Sequence, residues 1–145
     1  MIIDDYTRPS ISNGIQKEQA LIRRWWHEVH GARGRLVWEY YLGDCYLDAM
    51  WFPDAEESAV EYPGIGAPTR FPISGATVVL CEAKLRLTPE LVGQALMYRT
   101  FARHAGAQIS STVIFAETGK PAFVSAAEEL GLQVVLPGSI APPAV

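Results

Sequence analysis

The amino-acid sequence predicts an α/β domain, a mixed central sheet with helices on both faces in the order α-β-β-β-α-β-α-β. Two observations carry this. Segments whose apolar residues recur on a 3.6-residue period are interleaved with short runs that alternate or are continuously apolar, as helices and strands of a layered sheet require. Glycine and proline punctuate the segments at spacings that leave helices and strands of ordinary length. The size supports one unit: 145 residues, 49% hydrophobic and 19% charged, suffice for a single core and do not resemble a disordered chain. The domain is expected to span residues 1–145, with a core at about 14–136, a polar lead-in at 1–13 and a loose tail at 137–145.

The first helix is predicted from about Ile15 to His30, capped by Ser12 or Asn13 and ended by Gly31 and Gly34. Ile15, Ile22, Trp25 and Val29 form its apolar stripe, with Lys17, Arg24 and Glu28 on another side. Glu18 falls inside the stripe, so its carboxylate either points at the core, where it needs a partner, or reaches solvent from the stripe's edge. Two strands follow, about Arg35 to Leu42 and Cys45 to Phe52, joined as a hairpin by Gly43-Asp44. In the second, Tyr46, Asp48, Met50 and Phe52 share a face, and Cys45, Leu47, Ala49 and Trp51 take the other. Asp48 is thus a carboxylate in an apolar row.

Pro53 to Gly75 reads as irregular, with four prolines, three glycines and a cluster of acids that is most simply a solvated face. The apolar run from Thr77 ends in Leu80-Cys81-Glu82-Ala83-Lys84 and predicts a buried strand. Glu82 and Lys84 leave it on one face, where each is costly unless paired, hydrogen-bonded or bound to metal. Thr88-Pro89-Glu90 opens a second helix that runs to about His104 and ends at Gly106. A strand from Ile109 to Ala116, a helix from about Pro121 to Leu130 closed by Gly131, and a strand from Leu132 to Leu136 complete the fold.

If the Asp48 and Glu82 strands are antiparallel neighbours with Pro53 roughly opposite Thr77, Asp48 falls opposite Glu82. Asp48, Glu82 and Lys84 then converge on one patch, whereas Asp54 lies near the wrong end. Carboxylate oxygens are hard ligands suited to Mg²⁺ or Mn²⁺. Such an ion polarises a phosphoryl oxygen, and an ammonium beside it can orient water or stabilise a charged transition state. Competing chemistry is not evident: His27, His30 and His104 lack zinc spacing, and neither a G-x-S-x-G elbow nor a phosphate-binding glycine loop occurs. Cys45 and Cys81 form no metal or disulfide pattern and read as core filling on faces opposite the acids.

Asp48 followed by Glu82-Ala83-Lys84 on the next predicted strand, in this element order, resembles the PD-(D/E)XK nuclease superfamily. Gly14-Ile15-Gln16-Lys17-Glu18 looks like that family's first-helix acid. Gln94-Ala95-Leu96-Met97-Tyr98 looks like the Q-x-x-x-Y motif of its RecB-like and Cas4-like branch, although the cysteines that bind an iron-sulfur cluster in Cas4-like relatives have no counterparts here. The resemblance runs from about Gly14 to Leu136. It implies a restriction-endonuclease-like core and Mg²⁺- or Mn²⁺-dependent hydrolysis of DNA phosphodiester bonds. Asp48, Glu82 and the Ala83 carbonyl would hold metal, Glu18 would complete the site, and Lys84 would serve the nucleophile. Gln94 would bind the metal water or a phosphate, and Tyr98 would orient it or touch the nucleic-acid backbone; without the strand motif the same pair reads as core and core border.

The net charge of −4 disfavours a protein that coats nucleic acid by bulk electrostatics. Arg23, Arg24, Arg86, Arg99 and Arg103 could line a local phosphate track, although solvated helix faces explain them equally well. Four tryptophans (Trp25, Trp26, Trp38 and Trp51) crowd one small core and point to a further apolar surface, hence to a homodimer or a partner protein. No apolar run approaches membrane-spanning length, and the acidic start is unlike a signal peptide, so a cytoplasmic location is expected. The alternatives are a non-catalytic nucleic-acid- or protein-binding subunit that keeps the nuclease fold and an unrelated α/β protein; within the nuclease class a Holliday-junction resolvase is possible.

Overall fold

A computed structural model describes residues 13–61 and 72–140. Its elements are α1 (Asn13–His30), β1 (Arg35–Tyr41), β2 (Tyr46–Phe52), β3 (Ala59–Glu61), β4 (Thr77–Arg86), α2 (Pro89–His104), β5 (Gln108–Thr118), α3 (Pro121–Glu129) and β6 (Gln133–Val135), followed by a 3₁₀ turn at Pro137–Ser139. The strands form one six-stranded mixed sheet in the order β3-β1-β2-β4-β5-β6. β1, β2 and β4 run antiparallel in sequence, while β4, β5 and β6 are parallel. Helix α1 covers one face; α2 and α3 cover the other.

The turn chemistry acts where the residues predict it. Leu42 N–H donates to the Cys45 carbonyl across Gly43-Asp44, with Gly43 at φ 105°. Thr88 caps α2 by accepting the Leu91 N–H on its Oγ1 at 3.2 Å, and Pro89 takes the first helical position, where its missing N–H costs nothing. Gly34, at φ 75°, lies so close to β2 that a Cβ there would run into the Phe52 carbonyl. The proposed caps of α1 fall at its edge: Ser12 lies outside the described residues.

Four expectations are corrected. The stretch after Pro53 is not wholly irregular, because β3 adds to the sheet edge in parallel with β1, pairing Leu36 with Val60. The tail is anchored as far as Ile140, which is 2% exposed in the α1-side core. The stripe of α1 is broader and rotated: Leu21, Ile22, Trp25 and Trp26 are buried, whereas Val29 is 50% exposed near the helix end. The four tryptophans do fit one core, with none more than 3% exposed.

That aromatic packing explains how. Trp25 meets Trp51 and Phe115 edge-on, with ring centres 5.5 and 5.2 Å apart. Trp26 Nε1 and Trp51 Nε1 both donate to the Arg33 carbonyl, at 2.9 and 2.6 Å. One carbonyl therefore satisfies two buried indoles, and no tryptophan surface is left over to call for a partner.

β1 and β2 break their alternation midway. Glu39 sits at φ 48°, a left-handed conformation that costs energy for a residue with a Cβ. Leu36 and Trp38 enter the α1-side core, yet Val37 and Tyr40, three residues apart, both enter the opposite one. Across the hairpin, Ala49 and Trp51 join the first core while Leu47 joins Met50 and Phe52 in the second. This corrects the expectation that Leu47 shares a face with Ala49. The reversal falls at Asp48.

Candidate functional site

β2 and β4 pair through Trp51↔Val79, Met50↔Leu80 and Ala49↔Cys81. The next step in that register sets Asp48 against Glu82, as expected from the sequence. Here side chains replace the backbone ladder. The Asp48 N–H donates to Glu82 Oε1 at 2.8 Å, and the Ala83 N–H donates to Asp48 Oδ2 at 2.8 Å. Each carboxylate thus grips the other strand's backbone, and the two form a reciprocal clasp at the point where the strands part. β4 continues beyond it, paired only with β5 as far as Arg86↔Thr118.

Burial and charge make this clasp tense. Glu82 is 4% exposed, and burial first, then the charge of Asp48, pushes its carboxyl up to about 9. Burial likewise raises Asp48; the Ala83 N–H and Lys84 oppose the rise, while Glu18 and Glu39 add to it. Both shifts point the same way, so the two acids together hold a proton above the ordinary carboxylate range. Burial also raises the half-buried Glu18, against the pull of Lys84 and a hydrogen bond with the Leu85 backbone. Glu18 therefore faces the site from α1 and does not project freely into solvent.

The exposed Lys84 stands at the mouth with Glu18, Arg86, Glu90 and Gln94 in a pocket of about 370 Å³. Tyr98, one turn along α2 from Gln94, is raised by burial and then by the charges of Glu82, Cys45 and Asp48, which places it beside the clasp. The fold thus brings Glu18, Asp48, Glu82, Lys84, Gln94 and Tyr98 to one end of the sheet. Ala83 is wholly buried and contributes its N–H to the clasp.

The arginines divide. Arg86 lines the pocket. Arg23 lies over Trp38, 5.9 Å from the ring centre, and Arg24 pairs with Glu28 at 3.1 Å. Arg99 donates to the Leu130 carbonyl at 3.2 Å and so ties α2 to the end of α3. Arg103 is exposed in the last turn of α2, the end away from the pocket. Cys81 is core filling, its thiol pushed up by burial. Cys45 is half-buried and within electrostatic reach of Glu82, so it does not turn away from the acids as alternation predicted. Sequence reasoning passed over Glu39, Glu90 and the segment Thr118 to Phe123. The signal for that segment was its position after a parallel strand, since sheets of this kind bind ligands beyond their strands' carboxyl ends.

Among the described residues no group of three or more His, Cys, Asp and Glu side chains is arranged to hold a metal ion. Two carboxylates and a backbone carbonyl at Ala83 are a smaller set of hard oxygens. Ions such as Mg²⁺ keep several of their waters and take one or two carboxylates. No described helix is long and apolar enough to cross a membrane. Comparison of the chain with family models, curated proteins and solved structures finds no match.

Proposed function

We propose that this chain is a Mg²⁺- or Mn²⁺-dependent nuclease that hydrolyses phosphodiester bonds of DNA, built on a restriction-endonuclease-like core. The observation that carries the proposal is the Asp48–Glu82 clasp, two adjoining acids, Glu82 buried and Asp48 partly exposed, that cannot both ionise without repulsion. A cation there would relieve both the burial and the repulsion, which gives the arrangement a use beyond stability. Asp48, Glu82 and the Ala83 carbonyl would hold the ion, and Glu18 would act on its waters from α1. When bound, the ion would lower the pKa of a water and polarise the phosphoryl oxygen.

The protein's own groups do the rest. Lys84 presents an ammonium where charge builds on the phosphate. Gln94 offers an amide to the attacking water or a phosphate oxygen, and Tyr98 fixes the Gln94 side of the site. Of the five arginines read from the sequence as a track, only Arg86 lines the pocket, so a second copy of the chain or a partner protein is proposed to complete the grip on DNA. Light scattering with and without DNA tests that part.

The proposal as a whole is tested by incubating single-stranded, duplex and branched DNA with Mg²⁺ or Mn²⁺. Cleavage should fall about a thousandfold in Asp48→Asn, Glu82→Gln and Lys84→Met, the loss of several kcal/mol of charge stabilisation. Absence of cleavage with every metal and substrate, in protein shown to be folded, would favour a non-catalytic binding subunit. Cleavage that survives both carboxylate substitutions would sink the assignment.

A further inference from the structure

Next to the candidate site lies a second pocket, of about 620 Å³, at the carboxyl ends of the parallel strands β4 and β5. Arg86 and Thr88 line both pockets, so the two are neighbours. The wall of the second is completed by Thr118, Gly119, Lys120 and Phe123. Its chemistry differs from that of the first: Glu18 and Glu90 line the candidate site, but no described carboxylate lines this neighbour. Arg86 and Lys120 are both exposed and make no ion pair among the described residues. The Lys120 ammonium lies 5.7 Å from the centre of the Phe123 ring. That ammonium sits over the ring, so a phosphate that draws it aside toward Arg86 would uncover an aromatic face within reach of the nucleotide's own base.

We infer that this pocket binds an unpaired nucleotide next to the one whose phosphate lies at the acids, and that the substrate is a single strand of nucleic acid. Arg86 and Lys120 take the phosphate, Thr88 and Thr118 offer hydroxyls, and Phe123 takes the base. A base paired in a duplex presents only its edge and cannot bring its face to Phe123, so the pocket selects against double strands. Single-strand binders generally combine cations that follow the backbone with aromatic rings that stack bases. The other side of the acids fits the same path: the hairpin tip, at this same end of the sheet, carries Tyr41 and Tyr46, 47% and 39% exposed with ring centres 5.0 Å apart. A strand crossing this end from hairpin to α3 would meet aromatic, acid and cation in turn.

The inference rests on the nuclease reading for what happens at the acids, but the pocket can be tested without cleavage. Fluorescence anisotropy with a labelled ten-nucleotide oligo-dT and a hairpin duplex, in EDTA, measures binding alone. Oligo-dT should bind about tenfold more tightly than the duplex. Arg86→Gln and Lys120→Gln should each weaken it and lower the salt slope by about 0.7, the loss of one phosphate contact on a single strand. Phe123→Leu should weaken oligo-dT about five- to tenfold and leave the duplex unchanged. Because Phe123 also borders the core, the two cation substitutions serve as the test that does not depend on packing. Equal affinity for the two probes, or oligo-dT binding indifferent to Arg86→Gln and Lys120→Gln, would overturn the inference. Single-strand binding with these sensitivities but no cleavage would uphold the pocket and reject the nuclease; acid-dependent cleavage of duplex, untouched by Lys120→Gln and Phe123→Leu, which lie outside the acid site, would do the reverse.

Discussion

Two ends of one strand pair solve opposite problems. At Trp51↔Val79, β2 and β4 are laddered backbone to backbone, and the buried Trp26 and Trp51 beside them both donate to the single Arg33 carbonyl. Three residues along, at Asp48 and Glu82, the ladder stops and two carboxyls that resist ionising together take its place. The first end gains from burial of apolar area, of order 25 cal/mol per Å². The second loses by burial of groups that would rather be hydrated. The sheet is held together at one end and kept tense at the other, and the tension is tolerable because the aromatic end is so well packed.

The largest effect should come from spoiling the dry end. Trp26→Ala, which empties a fully buried site and frees one side of the Arg33 carbonyl, should cost about 3–5 kcal/mol in urea denaturation. Asp48→Asn and Glu82→Gln should cost nothing in metal-free protein, since each keeps a hydrogen-bond acceptor and removes a group that is costly to ionise there. If the acid substitutions proved as damaging as the tryptophan one, the contrast between the ends would be false.

A smaller effect follows from pH. The carboxyls of Glu82 and Asp48 are raised in the folded protein, Glu82 to about 9. The unfolded chain therefore releases these protons first. The stability they permit is complete below the ordinary carboxylate range and is lost as pH rises through the folded values. Metal-free protein should lose roughly 2 kcal/mol between pH 5 and pH 9, and Glu82→Gln should flatten that slope. A wild-type profile as flat as that of the variant would show that the clasp carries no shared proton.

The smallest effect is that of Glu18, which joins the acids electrostatically from α1 but does not form the clasp. Glu18→Gln should lower cleavage about tenfold, with a higher metal requirement and unchanged folding. A loss as deep as that of Glu82→Gln would move Glu18 from the margin of the site to its centre.

What the residues announced was local or nearly so. Thr88-Pro89 opens α2, Gly43-Asp44 turns the hairpin, and counting along two strands places Asp48 against Glu82. What escaped depends on partners distant in the chain. β3 exists only because β1 offers it an edge, so three residues in an acidic, proline-bounded stretch give no signal of their own. Trp26 looks surplus until the Arg33 carbonyl is found to take both its N–H and that of Trp51. Arg99 looks like a phosphate ligand until it meets the end of α3. Val29 fits the period of α1 but lies near the helix end with half its surface exposed. At the site itself, residue types were legible, whereas the flip of side chains around Glu39 that carries Cys45 toward Glu82 was not.

The parting of β2 from β4 has a mechanical consequence. Past Cys81 the hairpin of β1 and β2 is joined to the β4–β5 half of the sheet by two side-chain tethers and no described ladder pair. Those tethers are the same oxygens whose charge changes with a proton or a cation. Beyond that point the hairpin is held by the acids and by the packing of Tyr40 and Leu47 in the core beneath α2. Whatever neutralises the acids also resets how firmly the arm bearing Tyr41 and Tyr46 is held down, so that the amides of Asp48 and Ala83 become the strain gauge of the site, readable by hydrogen exchange.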